Sequence, residues 1–279
     1  MNTDQIHFAY AFLHTEPQAA ARLLQLQSAE EVVIFLTKAP HHYAKQILEE
    51  MLPVNAAAIL GLLPTDNAIG FMVEMSHAGA AAILRVMDSA AGEKILAGLP
   101  VNVKTACRLL LNYPADAIGA WIETRVTAGF ESDTAGELIL DLKKKGRHDS
   151  SRQVYVVSHR RRLVGTLAFV ELLRAQNQVK IGSIMNRKFA SLSGATRLTS
   201  ALRSTIWNQG DHVAVVNRSG VLIGELSHCL LRRATAAEQE NAPVSGGGVS
   251  SALTQAYADS LWEVFDTLKG SACGPSSRN

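Results

Sequence analysis

A segment that occurs twice constrains the fold of this chain more than any other feature of its sequence. "QVYVVSHRRRLVGTLAFVELL" begins at Gln153 and "HVAVVNRSGVLIGELSHCLLR" begins at His212, so that equivalent positions, such as Gly165 and Gly224, lie 59 residues apart. Each copy has a run of β-branched residues, a polar turn, a second apolar run containing a glycine, and a leucine-rich stretch. This pattern predicts a hairpin followed by a helix, formed twice. Since a unit of this size buries little core alone, we expect the two copies to pack together.

Helical patterns precede both copies. "TAGELILDLKKKG" comes before the first copy, and "TRLTSALRSTIWNQG" comes before the second. A helix, a hairpin and another helix, repeated, predict an α+β half with a small sheet in each unit.

The amino-terminal half has a different, shorter period. Prolines or small polar residues punctuate it every 11 to 13 positions, at Pro17, Ser28, Pro40, Pro53, Pro64, Ser76, Asp88 and Pro100. Each is followed by a short segment with helical spacing of apolar residues, and proline is favoured in the first turn of a helix. Two such helices give a repeat of about 24 residues, which is typical of a right-handed superhelix of antiparallel helix pairs.

The composition excludes several classes of protein. With 47% hydrophobic and 19% charged residues, the chain is expected to fold. Its three cysteines are widely spaced and read as reduced thiols, which favours a cytoplasmic location. Neither a signal peptide nor a run of 18 apolar residues occurs, so we expect no direct membrane span. Zinc-protease, phosphate-loop and nucleophile-elbow motifs are also missing from the sequence, which predicts that the chain is not an enzyme.

Charge is distributed very unevenly. Residues 1–149 carry 17 acidic and 12 basic side chains, whereas residues 150–233 carry 3 acidic and 13 basic ones, and residues 234–279 carry 5 and 2. These boundaries coincide with those of the patterns above and support separate modules. The basic half lacks the interleaved aromatic residues of a single-strand binding platform, so a nucleic-acid partner is not expected.

Two further segments carry a resemblance to a known family. The duplicated half resembles a pair of CBS domains, and "NYPADAIGAWIETRVTAGF" from Asn112 is similar to the linker of MgtE-type magnesium transporters. "VKIGSIMNRKFASL", with Ile184 and Met185, resembles that family's entry into the second CBS unit. The resemblance covers residues 15–235 and implies the cytosolic part only, without the transmembrane domain.

The implied fold class is α + (α+β), a right-handed helical superhelix followed by a tandem CBS pair. The expected domains are a superhelix at 1–111, a linker at 112–130, CBS 1 at 131–182, CBS 2 at 183–234, a flexible linker at 235–250, and a C-terminal helix and tail at 251–279.

The resemblance also implies a function. We expect a soluble MgtE-like regulatory protein linked to magnesium sensing or transport regulation, and a homodimer formed through the CBS pair. Two alternatives stay open: a CBS module that senses adenine nucleotide, and an interaction scaffold that presents the superhelix to a protein partner without a small ligand.

Adenine nucleotide is one implied ligand. The family's pattern for it is Gly-h-x-Ser/Thr-x-x-Asp, and each copy keeps part of it: Ala168 and Glu171 occupy the last two polar positions of the first copy, and Ser227 and Leu230 those of the second. The candidate nucleotide-binding residues are Val154, Thr166, Glu171, His212 and Ser227. The turn residues Arg160, Arg161 and Arg162 are either a solvated loop or phosphate contacts.

Magnesium is the other implied ligand. The family binds it between facing acidic residues, and the equivalent segments here, "AGAAAIL" and "GELSHCLL", hold few carboxylates. Asp116 and Glu123 of the linker are the candidate ligands for Mg²⁺, although a helix-capping role for Asp116 and a solvated position for Glu123 are also open.

Overall fold

The fold is taken from a computed structural model, which describes residues 13–145 and 153–240. Within these residues the chain forms two compact units, and the boundary between them falls between Thr105 and Ala106. The predicted C-terminal helix and tail at 251–279, and residues 241–250 of the predicted flexible linker, lie outside the described residues.

The amino-terminal unit is a succession of short helices that begin 12 residues apart. They are α1 (Pro17–Leu24), α2 (Ala29–Lys38), α3 (His41–Glu50), α4 (Pro53–Leu62), α5 (Thr65–Glu74), α6 (His77–Val86), α7 (Ser89–Gly98) and α8 (Val101–Leu111). The predicted repeat of helix pairs is therefore strict along this part of the chain.

Local chemistry explains where these helices begin. The Ser76 side chain accepts a hydrogen bond from the Gly79 N–H, and the Asp88 carboxylate accepts from the Ala90 and Ala91 N–H groups. Helix α4 begins with Pro53, whose missing N–H would have no partner in the first turn. After each of the helices α2 to α7, the next residue is extended, with ψ between 146° and 163°. Ten helical residues and a two-residue break thus produce the period.

The core of this unit repeats with the same period. The fourth, seventh and eighth residues of a helix are buried in α2, α3, α4, α5 and α7. In α2 these residues are Val32, Phe35 and Leu36, and in α5 they are Ala68, Phe71 and Met72. Helix α4 packs against α2 and α6, the helices one full repeat away on either side. Each apolar stripe is therefore buried only when repeats stack.

A side-chain hydrogen bond fixes the register between successive repeats. The Gln25 Oε1 atom accepts a bond of 2.8 Å from the Leu52 N–H, and the Glu49 Oε1 atom accepts one of 2.5 Å from the Ser76 N–H. Both bonds join residues 27 positions apart. The same contact therefore recurs one repeat later, and it satisfies a backbone donor at the break before a helix.

The second unit contains two three-stranded sheets of the same topology. In the first, β1 (Ala128–Phe130), β2 (Gln153–Val157) and β3 (Leu163–Ala168) lie in that order; in the second, β4 (Ser191–Ser193), β5 (His212–Val216) and β6 (Leu222–Ser227) do. The outer strand pairs parallel to the middle one, and the hairpin is antiparallel. The helices are α9 (Ala135–Lys145), α10 (Phe169–Arg174), α11 (Ile181–Ile184), α12 (Leu198–Leu202) and α13 (His228–Glu240).

The two hairpins have one register. Gln153 pairs with Ala168 in the first, and His212 pairs with Ser227 in the second. Both pairings are interrupted by an irregularity at the same place, after Val156 and after Val215. The predicted duplication therefore extends to the details of the backbone.

Two predicted linkers are partly regular structure. The last residues of the predicted linker at 112–130 form β1, which pairs with β2. The predicted flexible linker at 235–250 begins too early, since α13 continues to Glu240. Residues 235–240 read "TAAEQE", which is rich in good helix formers, and this composition continues the helix.

Candidate functional site

The turns of the two hairpins meet. The Leu163 N–H donates to the Gly220 carbonyl at 3.0 Å, and the Leu222 N–H donates to the Arg161 carbonyl at 3.1 Å. The two bonds exchange equivalent positions, because both members of each pair are related by the 59-residue repeat. The two CBS-like units are thus related by a local pseudo-twofold arrangement at their turns.

The segments that lead into each unit cross to the sheet of the other one. Glu123, before the first unit, exchanges two backbone hydrogen bonds of 2.8 and 2.9 Å with Glu225 of β6. Asn186, before the second unit, exchanges two of 2.7 and 3.0 Å with Thr166 of β3.

The repeated glycines permit this close approach. A Cβ atom on Gly224 would lie 2.5 Å from the Glu123 carbonyl oxygen, and one on Gly165 would lie 3.1 Å from the Asn186 carbonyl oxygen. Side chains at these two positions would push the crossing segments away. The duplicated glycine noted in the sequence therefore has a packing role.

A chain of polar side chains joins the two units between their sheets. The Gln153 Nε2 atom donates to the Tyr155 hydroxyl at 3.2 Å, and that hydroxyl donates to the Glu225 Oε2 atom at 2.5 Å. The other carboxylate oxygen of Glu225 lies 2.8 Å from the His212 Nδ1 atom. Tyr155 is fully buried and Glu225 is 6% exposed, so these contacts replace water for both side chains.

This polar chain is not symmetric. The position equivalent to Tyr155 holds Ala214, and the position equivalent to Glu225 holds Thr166. Sequence reasoning missed Tyr155 and Glu225; comparing the two copies position by position would have shown them as the places where the duplicate differs in polarity. The asymmetry gives the two units different chemical environments at their shared interface.

The candidate nucleotide-binding residues separate into two sets. Val154 is buried in β2 opposite Leu167, and Thr166 lies opposite Tyr155. Glu171 is exposed in the first turn of α10. These three belong to the first unit.

The second set is brought together more closely. His212 and Ser227 lie directly opposite each other on β5 and β6. The Ser227 hydroxyl oxygen accepts a bond of 3.1 Å from the Leu230 N–H, and it therefore caps α13. A hydroxyl that accepts this bond can still donate its own hydrogen to a ligand.

The candidate magnesium ligands each have an arginine neighbour. The Asp116 carboxylate lies 3.5 Å from the Arg197 Nε atom, and the Glu123 carboxylate lies 3.4 Å from the Arg125 Nε atom. Within residues 13–145 and 153–240, no three His, Cys, Asp or Glu side chains form a group that could hold a metal ion. The described donor set does not fit an all-protein magnesium site, because Mg²⁺ demands an octahedron of oxygens.

The comparisons with known proteins agree with this architecture. Residues 15–116 match the model of the MgtE intracellular N domain. The cytosolic domain of the Mg²⁺ channel MgtE, in a complex with ATP, superposes with a TM-score of 0.71 at 22% identity, covering 80% of this chain and 92% of that chain. The chain resembles the cytosolic part of an MgtE transporter. The predicted fold class, a helical superhelix followed by a CBS pair, is confirmed.

Two more relatives extend the comparison. The soluble part of a magnesium transporter superposes with a TM-score of 0.60 at 18% identity, covering 84% of this chain and 98% of that chain. The magnesium transporter MgtE of Bacillus subtilis (strain 168) is 20% identical over 217 residues, which are 77% of this chain and 46% of the transporter. The chain thus spans about half the length of that curated MgtE. None of the helices in the described part of the chain is long and apolar enough to cross a bilayer.

Proposed function

We propose that this chain is a cytoplasmic regulatory module of MgtE-type magnesium transport. The observation that carries the proposal is the order of its parts, a helical unit with a strict repeat followed by a pseudo-twofold CBS-like pair. The same order occurs over nearly the whole of the MgtE cytosolic domain that it resembles. In this role the chain transmits the presence of a small ligand to a transporter or to another partner, and it carries out no chemical reaction.

Magnesium is the first ligand to test. Asp116 and Glu123 would bind it through one carboxylate oxygen each and several water molecules, and they would have to leave their arginine neighbours to do so. Thermal melts in millimolar MgCl₂ are compared with melts in NaCl of equal ionic strength. A ligand at about 100 times its dissociation constant adds roughly 2.7 kcal/mol of stability, which raises the melting temperature measurably.

The variants identify the source of a magnesium effect. Asp116→Asn and Glu123→Gln keep the side-chain shape and remove the charge, and we expect the double variant to lose the shift caused by magnesium. Asp141→Asn, which neutralises a carboxylate on α9, is the matched control. If MgCl₂ acts no differently from NaCl, the chain does not sense magnesium through its own residues.

Adenine nucleotide is the second candidate ligand. The specific observation in its favour is the placement of His212 and Ser227 opposite each other at the start of α13, in a segment where residues 150–233 carry 13 basic and 3 acidic side chains. The ATP complex of the MgtE cytosolic domain supports the same ligand class. Helix amino termini and arginines both favour phosphate groups.

Calorimetric titration with ATP and AMP tests this candidate. Ser227→Ala removes the hydroxyl, and we expect it to weaken nucleotide binding about tenfold, the equivalent of one charge-assisted hydrogen bond. Ser227→Thr retains both the cap and the hydroxyl and serves as its control. Glu171→Gln makes the same comparison in the first unit. Binding that none of these changes would place the nucleotide elsewhere, and a chain that responds to neither ligand would be the scaffold alternative.

A homodimer through the CBS pair belongs to the same proposal. Val170 and Leu173 on α10 are 52% and 69% exposed. The equivalent positions on α13 hold Cys229 and Arg232, so only the first unit has an apolar face there. Sedimentation equilibrium of Leu173→Arg should show a weakened dimer, whereas Cys229→Arg, the matched change in the second unit, should not.

A further inference from the structure

Four arginines from two distant parts of the sequence converge where the hairpin turns meet. Arg160, Arg161 and Arg162 form the tip of the first turn, and Arg218 lies in the second. The pairing of the turns through the Leu163 and Leu222 N–H groups brings them to one side of the unit. The sequence showed three of these arginines, and the fold adds the fourth.

The four charges, which we call the arginine patch, have no acidic neighbours that neutralise them. All four side chains are exposed, and none forms an ion pair with a carboxylate of the described residues. Only Arg162 is held, because its Nε atom donates to the Ser219 carbonyl at 2.8 Å. Like charges placed this close repel one another, and a partner with several negative charges would remove that repulsion.

The backbone of the patch is strained at one residue. Arg161 has a φ of 58°, whereas Gly220, its equivalent in the second turn, has a φ of 75°. A residue with a Cβ atom is disfavoured in this left-handed region, and glycine is not. The first turn therefore keeps an arginine at a position where glycine would be more stable, which is common where a side chain has a function.

An exposed aromatic ring borders the patch. Phe130 is 39% exposed, and its ring stacks on His159, with the centroids 5.9 Å apart and the planes at 19°. His159 directly precedes the three arginines in the chain. Asp133 is the acidic side chain held nearest to this ring, and its carboxylate accepts a hydrogen bond from the Phe130 N–H.

We propose that the arginine patch docks this module on an anionic lipid bilayer. Lipid phosphates offer many negative charges in one plane, which matches arginines on the tips of two adjoining turns. The exposed ring of Phe130 adds an apolar group that can enter the headgroup region. A nucleic acid fits less well, since one ring pair does not make a series of stacking surfaces. The inference concerns a surface separate from the candidate ligand residues and does not require the proposed function.

Vesicle co-sedimentation of the full chain tests the proposal. Vesicles of phosphatidylcholine alone are compared with vesicles that contain about 30% phosphatidylglycerol, at low and at physiological salt. The test variant is Arg160→Gln with Arg161→Gly and Arg218→Gln. The matched control removes three exposed arginines of the same unit, by Arg174→Gln, Arg203→Gln and Arg232→Gln. Thermal melts without vesicles check that both variants are folded.

We expect the wild type and the control to bind the anionic vesicles and to bind less at higher salt. The test variant should bind roughly 100-fold more weakly, since each basic residue near an anionic surface contributes a factor of about 5 to 10. Its response to MgCl₂ and ATP should be unchanged, which separates this inference from the proposed function.

Three outcomes would overturn the inference. The first is equal binding to both kinds of vesicle, and the second is an equal loss of binding in the test and control variants. The third is tight binding of free tripolyphosphate or of single-stranded RNA by the patch without sedimentation on anionic vesicles. A Phe130→Ala variant that weakens vesicle binding would support the bilayer specifically, because tripolyphosphate has no apolar layer.

Discussion

Substituting Gly224 with alanine tests the crossing of the two units most directly. The new Cβ atom would lie 2.5 Å from the Glu123 carbonyl oxygen and 3.0 Å from the Ile122 Cδ1 atom. The nearer atom belongs to the backbone, which cannot rotate out of the way as a side chain can. The segment before the first unit must therefore move off β6.

The expected loss of stability has two parts. Forcing an extra carbon into a packed site costs about 1–3 kcal/mol. Moving the segment away also weakens the two backbone hydrogen bonds between Glu123 and Glu225, each with a net contribution of about 1 kcal/mol. We therefore expect Gly224→Ala to lower the free energy of unfolding by about 3 kcal/mol, which corresponds to a fall in melting temperature of roughly 10 °C.

Urea denaturation followed by tryptophan fluorescence gives the measurement, because Trp121 and Trp207 both lie in this unit. Two alanine substitutions are the controls. Gly165→Ala should cost only about 1 kcal/mol, since its nearest neighbour, 2.6 Å away, is the flexible Met185 Sδ atom. Gly210→Ala meets nothing within 4 Å and should be neutral or slightly stabilising.

Equal effects of Gly224→Ala and Gly165→Ala would refute the reasoning, because the argument depends on a backbone atom at one site and a movable side chain at the other. A loss below about 1 kcal/mol at Gly224 would also refute it. Hydrogen exchange at the Glu123 and Glu225 amides provides a second reading, since both should exchange faster in Gly224→Ala and neither should change in Gly210→Ala.

Three further predictions follow from other parts of the chain. Arg161→Gly should raise the free energy of unfolding by up to about 1 kcal/mol in urea denaturation, and Gly220→Ala should lower it by about the same amount, because both residues have a positive φ. Glu49→Ala should destabilise the helical unit by about 1–3 kcal/mol in thermal melts, since it leaves a backbone N–H without its acceptor, while Glu49→Gln should retain most of the stability. Burial raises the pKa of the Cys107 thiol to about 11, so this thiol is protonated at pH 8 and mass spectrometry should find it alkylated by iodoacetamide far more slowly than the exposed Cys229, with reaction at Cys107 of the native protein increasing only towards pH 11.

The sequence predicted those parts of the fold that depend on short-range patterns. The helices of the first unit follow from punctuation by residues such as Pro53 and Ser76, together with apolar residues on one face, because both features act within a single turn of chain. The hairpins follow from β-branched runs around a polar turn. Strands β1 and β4 were missed since each has only three residues, too few to show an alternation.

The candidate site was predicted less completely. His212 and Ser227 were proposed from a motif, and the register of the second hairpin brings them opposite each other. Tyr155 and Glu225 escaped notice because their hydrogen bond joins residues 70 positions apart, which no local pattern encodes. Asp116 was proposed as a magnesium ligand without knowledge of its neighbour, Arg197, which only the folding of the linker onto the second unit supplies.

The sequence by itself determined that this protein consists of a helical repeat and a duplicated α+β unit, because periodicity, turn chemistry and duplication are properties of the chain order. Tertiary structure alone decided which residues meet between the copies: the buried contact of Tyr155 with Glu225, and the convergence of Arg218 with the arginines of the first turn. The physical reason is that burial and charge depend on distance in space. Residues far apart along the chain acquire a shared environment only when the two copies pack against each other.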